Sequence, residues 1–200
     1  MAYYALQTSA ALASGAGQGS RLSWAGQVAA VMRRCGIEVD LTNPQPIALR
    51  GLKQRLVQHF IEHIGSQHGS KTRAYVEQVR AGITVESFGP APYLESVRRR
   101  DRRLALTQLR TGSHWLAEET GRWQSIPRNQ RACLHCSQQG EVHLEDVRHM
   151  VFQCPRYAEI RGCFPGIFNA VASGDISSFF EHENQRMVAA FCRACYKLRL

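Results

Sequence analysis

The chain has 200 residues, with 25 lysines and arginines against 16 aspartates and glutamates, for a formal net charge of +9. Its 44% apolar content is enough for one or two packed cores, and no run of about eighteen apolar residues is present to cross a bilayer as a helix. Only three of the basic residues are lysine, so the charge sits on arginine, whose planar fork suits phosphate. That balance points to nucleic acid or another anionic surface, and RNA or DNA held through phosphate is the expected partner, with no membrane and no small-molecule substrate expected. Seven cysteines, an odd number at spacings unlike a disulfide ladder, set a reducing intracellular compartment as the expectation, nuclear or cytoplasmic.

Residues 1–22 are rich in Ala, Ser and Gly and read as a flexible tail, too poor in arginine for a transit peptide. Residues 23–126 read as a helical connector region. Ser23 is placed to cap a helix over 24–35 that Gly36 stops, with Trp24, Val28, Val31, Met32 and Cys35 on its apolar stripe. After a connector with Pro44 and Pro46, a helix over 47–64 is expected to end at Gly65. Its apolar face is Leu49, Leu52, Leu56, Val57, Phe60 and Ile64. His59 and His63 share a face four residues apart, but no third ligand lies near, so a satisfied or solvated pair is the better reading. "SQHGS" reads as a loop, 71–81 as a short helix ended by Gly82, and 83–85 as a weak strand.

The segment "YLESVRRRDRRLALTQLRTGSHWLAEETGRW" is patterned as a helix to Gly112, with Leu94, Val97, Leu104, Ala105 and Leu109 on one face. Arg99, Arg100, Arg103 and Arg110 fall roughly opposite, as a basic ridge. Ser113 is placed to cap a helix over 114–119 that Gly121 stops, and Trp115 and Trp123 are expected in the core. Beyond the cysteine-rich part, Pro165-Gly166 reads as a bend, followed by helices near 176–180 and 183–197. The last carries Met187, Val188, Phe191, Cys195 and Leu198 on its apolar face. Cys35, Cys163, Cys192 and Cys195 read as core packing, although 192 and 195 repeat the C-x2-C spacing.

The chemistry concentrates in "RACLHCSQQGEVHLEDVRHMVFQCPRY". Cys133, Cys136, His149 and Cys154 follow the pattern C-x2-C-x12-H-x4-C. Three thiolates and an imidazole close a tetrahedral shell around Zn2+ and leave no position for a reacting water, so the expected site is structural. His143 is an alternative ligand on a shorter loop, and His135, between the first two cysteines, is poorly aimed. Asp146 is placed to cap the short helix carrying His149, and Pro155 to open the next, through about residue 162. The segment 127–165 is therefore expected to be a small zinc-stapled CCHC subdomain, followed by a C-terminal helical segment, 166–200, in a mainly α fold. Metal binding would supply folding free energy that so small an apolar patch lacks.

"CLHC", "VHLEDVRHMVFQCPRY" and the nearby "IR" resemble the zinc-binding region downstream of the polymerase in non-LTR retrotransposon reverse transcriptases. "LALTQLRTGSHWLAEETGRW", with "LRTG" at its centre, is similar to the helical segment that precedes that region. The resemblance is specific over about 102–161, and residues 23–64 look like the connecting region of such elements. It implies Cys133, Cys136, His149 and Cys154 as zinc ligands, favouring His149 over His143, and a role in holding template RNA or target DNA near the polymerase. It also implies a reverse transcriptase domain as a possible partner.

The polymerase itself is not in this chain. Such an enzyme needs paired aspartates for two metal ions, and Asp40, Asp101, Asp146 and Asp175 are scattered. The expectation is a binding module with no enzymatic activity, in which Arg98, Arg99, Arg100, Arg102, Arg103, Arg110, Arg128 and Arg131 contact phosphates. The alternatives are a protein-interaction module that packs on a polymerase thumb, or a degraded fragment of a retroelement.

Overall fold

A computed structural model describes residues 24–38, 40, 43, 51–64, 66, 71–80 and 83–199. The expected tail, the Ser23 cap, the Trp24 side chain, Leu49, both prolines of the connector, Gly65, the loop at 67–70 and Gly82 lie outside them. The described residues are mainly helical, and their only pairing of extended backbone is one bridge between Ala132 and Leu144. None of their helices is long and apolar enough to cross a membrane. Two compact units are present, Met1–Ser66 with Thr84–Phe88, and Gln67–Ile83 with Gly89–Leu200.

In the first unit, α1 (Trp24–Arg34) and α2 (Leu52–Ile64) supply the apolar contacts. Gly36, at φ +66, provides the left-handed turn that ends α1. Met32, Ile37, Val57 and Ile64 are buried, and Phe60 meets Phe88 edge to face. Val31, assigned to the apolar stripe, is instead 44% exposed. The rings of His59 and His63 lie 3.9 Å apart, tilted by 39°, and among the described residues they belong to no metal-ligating group. The segment 83–85 forms no strand: Val85 enters a turn held by reciprocal bonds between Thr84 and Ser87.

The second unit comprises α3 (Lys71–Gln78), α4 (Tyr93–Ser96), α5 (Arg100–Arg110), α6 (Ala117–Trp123), α7 (Leu134–Ser137), α8 (Ala158–Gly162), α9 (Pro165–Phe168), α10 (Ile176–Glu181) and α11 (Gln185–Arg199). Helices α5 and α11 pack side by side at its centre. Leu106 and Leu109 come from α5, and Val188, Ala189, Phe191, Cys192 and Cys195 from α11. Rings of Phe152, Phe164, Phe168, Phe179 and Phe191 meet mostly edge to face beside them. Asp175 accepts from Ser178 N to cap α10, and Asn184 accepts from Met187 N at the start of α11.

Several sequence expectations are corrected here. The helix expected to run unbroken to Gly112 is interrupted at residues 97–99, where Val97 turns into the core at 2% exposure. The break resets the helical phase. Ala105, Leu106, Leu109 and Arg110 now face inward, and Leu94 and Leu104 are 42% and 54% exposed. Leu116, not Ser113, precedes α6, and Gly121 lies within α6 instead of ending it. A side chain at Gly121 would place its Cβ 2.7 Å from Arg131 Cγ, so glycine lets Arg131 cross the helix. Trp115 packs edge-on against Tyr196, but Trp123 is 64% exposed. Pro165 opens α9 as its first residue rather than making a bend. Cys163 is exposed, and Leu198 lies off the buried face of α11.

The boundaries drawn at 126/127 and 165/166 fall inside a single core. Cys133, Cys136, Met150, Val151 and Cys154 share one buried cluster with Leu106, Leu109, Phe179 and Phe191. The cysteine-rich segment is thus part of the second unit, built against both flanking helical segments.

Candidate metal centre

Cys133 and Cys136 bracket the start of α7, a single turn. Cys133 N donates to His143 O at 2.8 Å, and Glu145 N to Arg131 O at 3.0 Å, which ties the outgoing strand of the loop to the incoming one. Gly140, at φ +85, closes α7, with Gln139 N and Glu141 N both donating to Cys136 O. The chain then returns to place a π-helical turn, His149–Gln153, against the cysteines. Asp146 Oδ1 accepts from His149 N at 2.7 Å, so the expected cap is made. Cys154 leaves the turn in extended conformation and Pro155 opens the following turn, Pro155–Tyr157, which leads into α8.

This arrangement brings together all four side chains read from the spacing. The ligand atoms of Cys133, Cys136, His149 and Cys154 lie within 4.8 Å of one another, and all four residues are buried. Cys133 Sγ is 3.8 Å and Cys136 Sγ 3.9 Å from Cys154 Sγ, and Cys136 Sγ is 3.4 Å from His149 Nε2. A tetrahedral ion with metal–sulfur bonds of about 2.3 Å and metal–nitrogen bonds of about 2.0 Å has S···S edges near ~3.8 Å and S···N edges near ~3.5 Å. The three edges above match such a tetrahedron, and the group can hold a metal ion.

The electrostatics agree. Burial raises the Cys136 thiol above its ordinary range and pushes Cys154 up to about 12. Three neighbouring thiolates would be costly here without a cation, and a cation compensates them. Burial also lowers His149, which keeps the imidazole neutral and able to ligate.

His143 is outside the group. It is exposed, its Nε2 lies 3.2 Å from Glu141 Oε2, and its ring stacks over His149 at 5.0 Å. His135 Nε2 pairs with Gln139 instead. The neighbouring carboxylates are engaged structurally: Glu145 is buried, accepts from Ala117 N at 2.8 Å and pairs with Arg199 at 3.1 Å. Arg161 braces the far side, donating to Cys154 O at 2.8 Å. The Glu145–Arg199 and Arg161 braces were not read from the sequence, because their partners meet only in the folded chain.

The arginines assigned to phosphate contact separate into groups. Arg98, Arg99 and Arg100 are exposed, and Arg102 is half-buried. Arg103 donates to Val97 O, Arg128 pairs with Glu118, and Arg131 donates to Ile126 O and Glu118 O. Arg110 does not belong with them. It is 5% exposed, lies over the rings of Tyr93 and Phe180, and donates to Phe180 O at 2.6 Å. The phase change at Val97 carried it from the ridge into the core. No protein-family model, curated protein or solved structure gives a significant match to this chain.

Proposed function

We propose that this chain is a zinc-binding, nucleic-acid-binding module derived from the C-terminal part of a non-LTR retrotransposon reverse transcriptase, with no polymerase activity of its own. The observation that carries this reading is the closed, buried set of three thiols and one imidazole, embedded in the core that also holds the basic helix α5. Soft thiolates with one imidazole suit Zn2+ better than the harder divalent ions. When bound, the ion cross-links α7 to the turn at His149–Gln153, and the residues around it position and exclude water. The net charge of +9 and the exposed arginines before α5 support a phosphate-bearing partner.

The reading is tested by zinc content per purified chain, followed by binding of labelled single-stranded RNA and duplex DNA over stepped salt. It expects one zinc per chain and log affinity falling steeply with log salt, by about 0.7 to 0.9 for each phosphate neutralised. A second reading, docking on a protein such as a polymerase thumb, has its own support in the exposed Leu94, Leu104, Trp123, Leu134 and Val142. A zinc-loaded chain with a flat salt response would favour it. A folded chain without zinc would overturn the staple in both.

A further inference from the structure

We propose that the cleft lined by Ser96, Val97, Arg98, Arg99, Arg102 and Arg186 is the seat for the sugar-phosphate backbone of the bound nucleic acid, a site that rests on the nucleic-acid reading and locates it. The cleft encloses about 350 Å³, and four of its six lining residues are arginines, with no carboxylate among them. Three come from the break before α5 and its first turn. The fourth, Arg186, comes from α11, ninety residues beyond Ser96 in the chain, and its Nε donates to Ser96 O at 3.0 Å. That bond fixes Arg186 at the rim of a cleft that the periodicity of α5 could not reveal.

The local charge is under-compensated. The side chains of Arg98 and Arg102 make no hydrogen bond or ion pair among the described residues. Arg99 pairs with Asp101 at 3.2 Å, and Arg193 approaches the same carboxylate at 3.3 Å, so one acid is shared by two arginines. The Ser96 hydroxyl is buried with no partner. Four guanidinium groups around one cavity repel one another until an anion enters. Their planar forks match phosphate oxygens two at a time, and the drawing of arginines from two helices favours successive phosphates of a strand over a lone carboxylate.

The test compares the full-length zinc-loaded chain with R102Q/R186Q and with R33Q/K53Q, a control that removes equal charge from exposed positions of the other unit. Binding of labelled single-stranded RNA is measured across salt. The cleft variant should bind at least about tenfold more weakly and lose about 1.4 from its log-log salt slope, whereas the control should change affinity by less than about threefold. Because R102Q/R186Q disturbs the Ser96 contact, R98Q serves as a second variant at an exposed position, with a loss of about 0.7 in slope. Wild-type binding with a steep slope that both cleft variants leave intact would overturn the cleft and spare the nucleic-acid reading. Weak, salt-independent binding by wild type would overturn that reading, and the cleft with it.

Discussion

Cys136 Sγ lies 3.4 Å from His149 Nε2, although they are thirteen positions apart, and the imidazole of His143 stacks on the His149 ring. Two histidines six positions apart thus have different places: one belongs to the group that can hold a metal ion, and the other lies over it. His149→Ala should lose the metal and unfold the segment around residues 133–154, because three buried thiols remain with an incomplete shell. His143→Ala should retain one metal per chain and cost no more than about 0.5 kcal/mol, as expected of an exposed side chain. Metal analysis and thermal unfolding of both variants check this. Metal loss in His143→Ala with retention in His149→Ala would reverse the ligand assignment.

Asp146 should matter to the metal without touching it. Its carboxylate takes the His149 N–H at 2.7 Å and so starts the turn that aims the imidazole. Asp146→Ala should cost about 1 kcal/mol, the usual loss for a missing cap, and weaken metal affinity by loosening His149. Asp146→Asn keeps an accepting oxygen and should lie within a few tenths of a kcal/mol of wild type. Chemical denaturation and chelator competition separate the two effects. Equal behaviour of the Ala and Asn variants would count against the cap.

The group of three cysteines and one histidine is legible in the sequence because its signal is local. Two cysteines around a single turn, a histidine three residues after a capping aspartate and a cysteine before proline each describe a short piece of backbone. The positions that were misplaced depend on distant partners. A helix-long pattern put Arg110 on the solvent side, but Val97 is drawn into the core and breaks the helix, so the faces beyond it rotate. Trp123 has the composition of a core residue, yet α6 turns it outward. Gly121 resembles a helix stop and is instead the clearance for Arg131, ten residues later. Arg186 carries no local mark at all. Its place beside Ser96 exists only once α11 has packed.

Arg110 gives a sharp contrast between stability and binding. Its guanidinium sits over two rings and satisfies Phe180 O from within the core. Arg110→Ala should destabilise the second unit by roughly 2 to 4 kcal/mol, through a cavity and an unpaired carbonyl. Arg110→Met fills much of the volume without a buried charge and should cost less. The folded fraction of either variant should bind RNA as tightly as wild type, unlike R102Q/R186Q. Denaturant unfolding and binding at matched folded concentration measure both quantities. A stable Arg110→Ala protein with weakened binding would return this arginine to the exposed contact set.

The acid side of the stability profile should fall in two windows. His114 is 3% exposed, and its burial outweighs the attraction of Glu119, holding it at about 4 instead of 6.5; Lys71 and Asp146 also act on it. The folded chain therefore keeps His114 neutral while the unfolded chain takes up a proton, so stability is lost as pH drops from 6.5 towards 4. The full window is worth on the order of 3 kcal/mol. Glu119 is held down at about 2, first by its hydrogen bonds from Arg122 and then by Lys71. Its contribution is complete above 4.5 and disappears as pH falls through 4.5 towards 2. Protonation of the metal ligands adds its own acid loss, which wild type and variants share, so the informative quantity is the difference between them. His114→Gln should flatten the upper window and leave the lower, whereas Glu119→Gln should remove the lower window from a less stable starting point and, by taking away the attraction that raises His114, deepen the upper one. Denaturant midpoints at half-unit pH steps from 7.5 to 3 would show this. Parallel profiles for wild type and His114→Gln would mean that the imidazole titrates alike in the folded and unfolded chain.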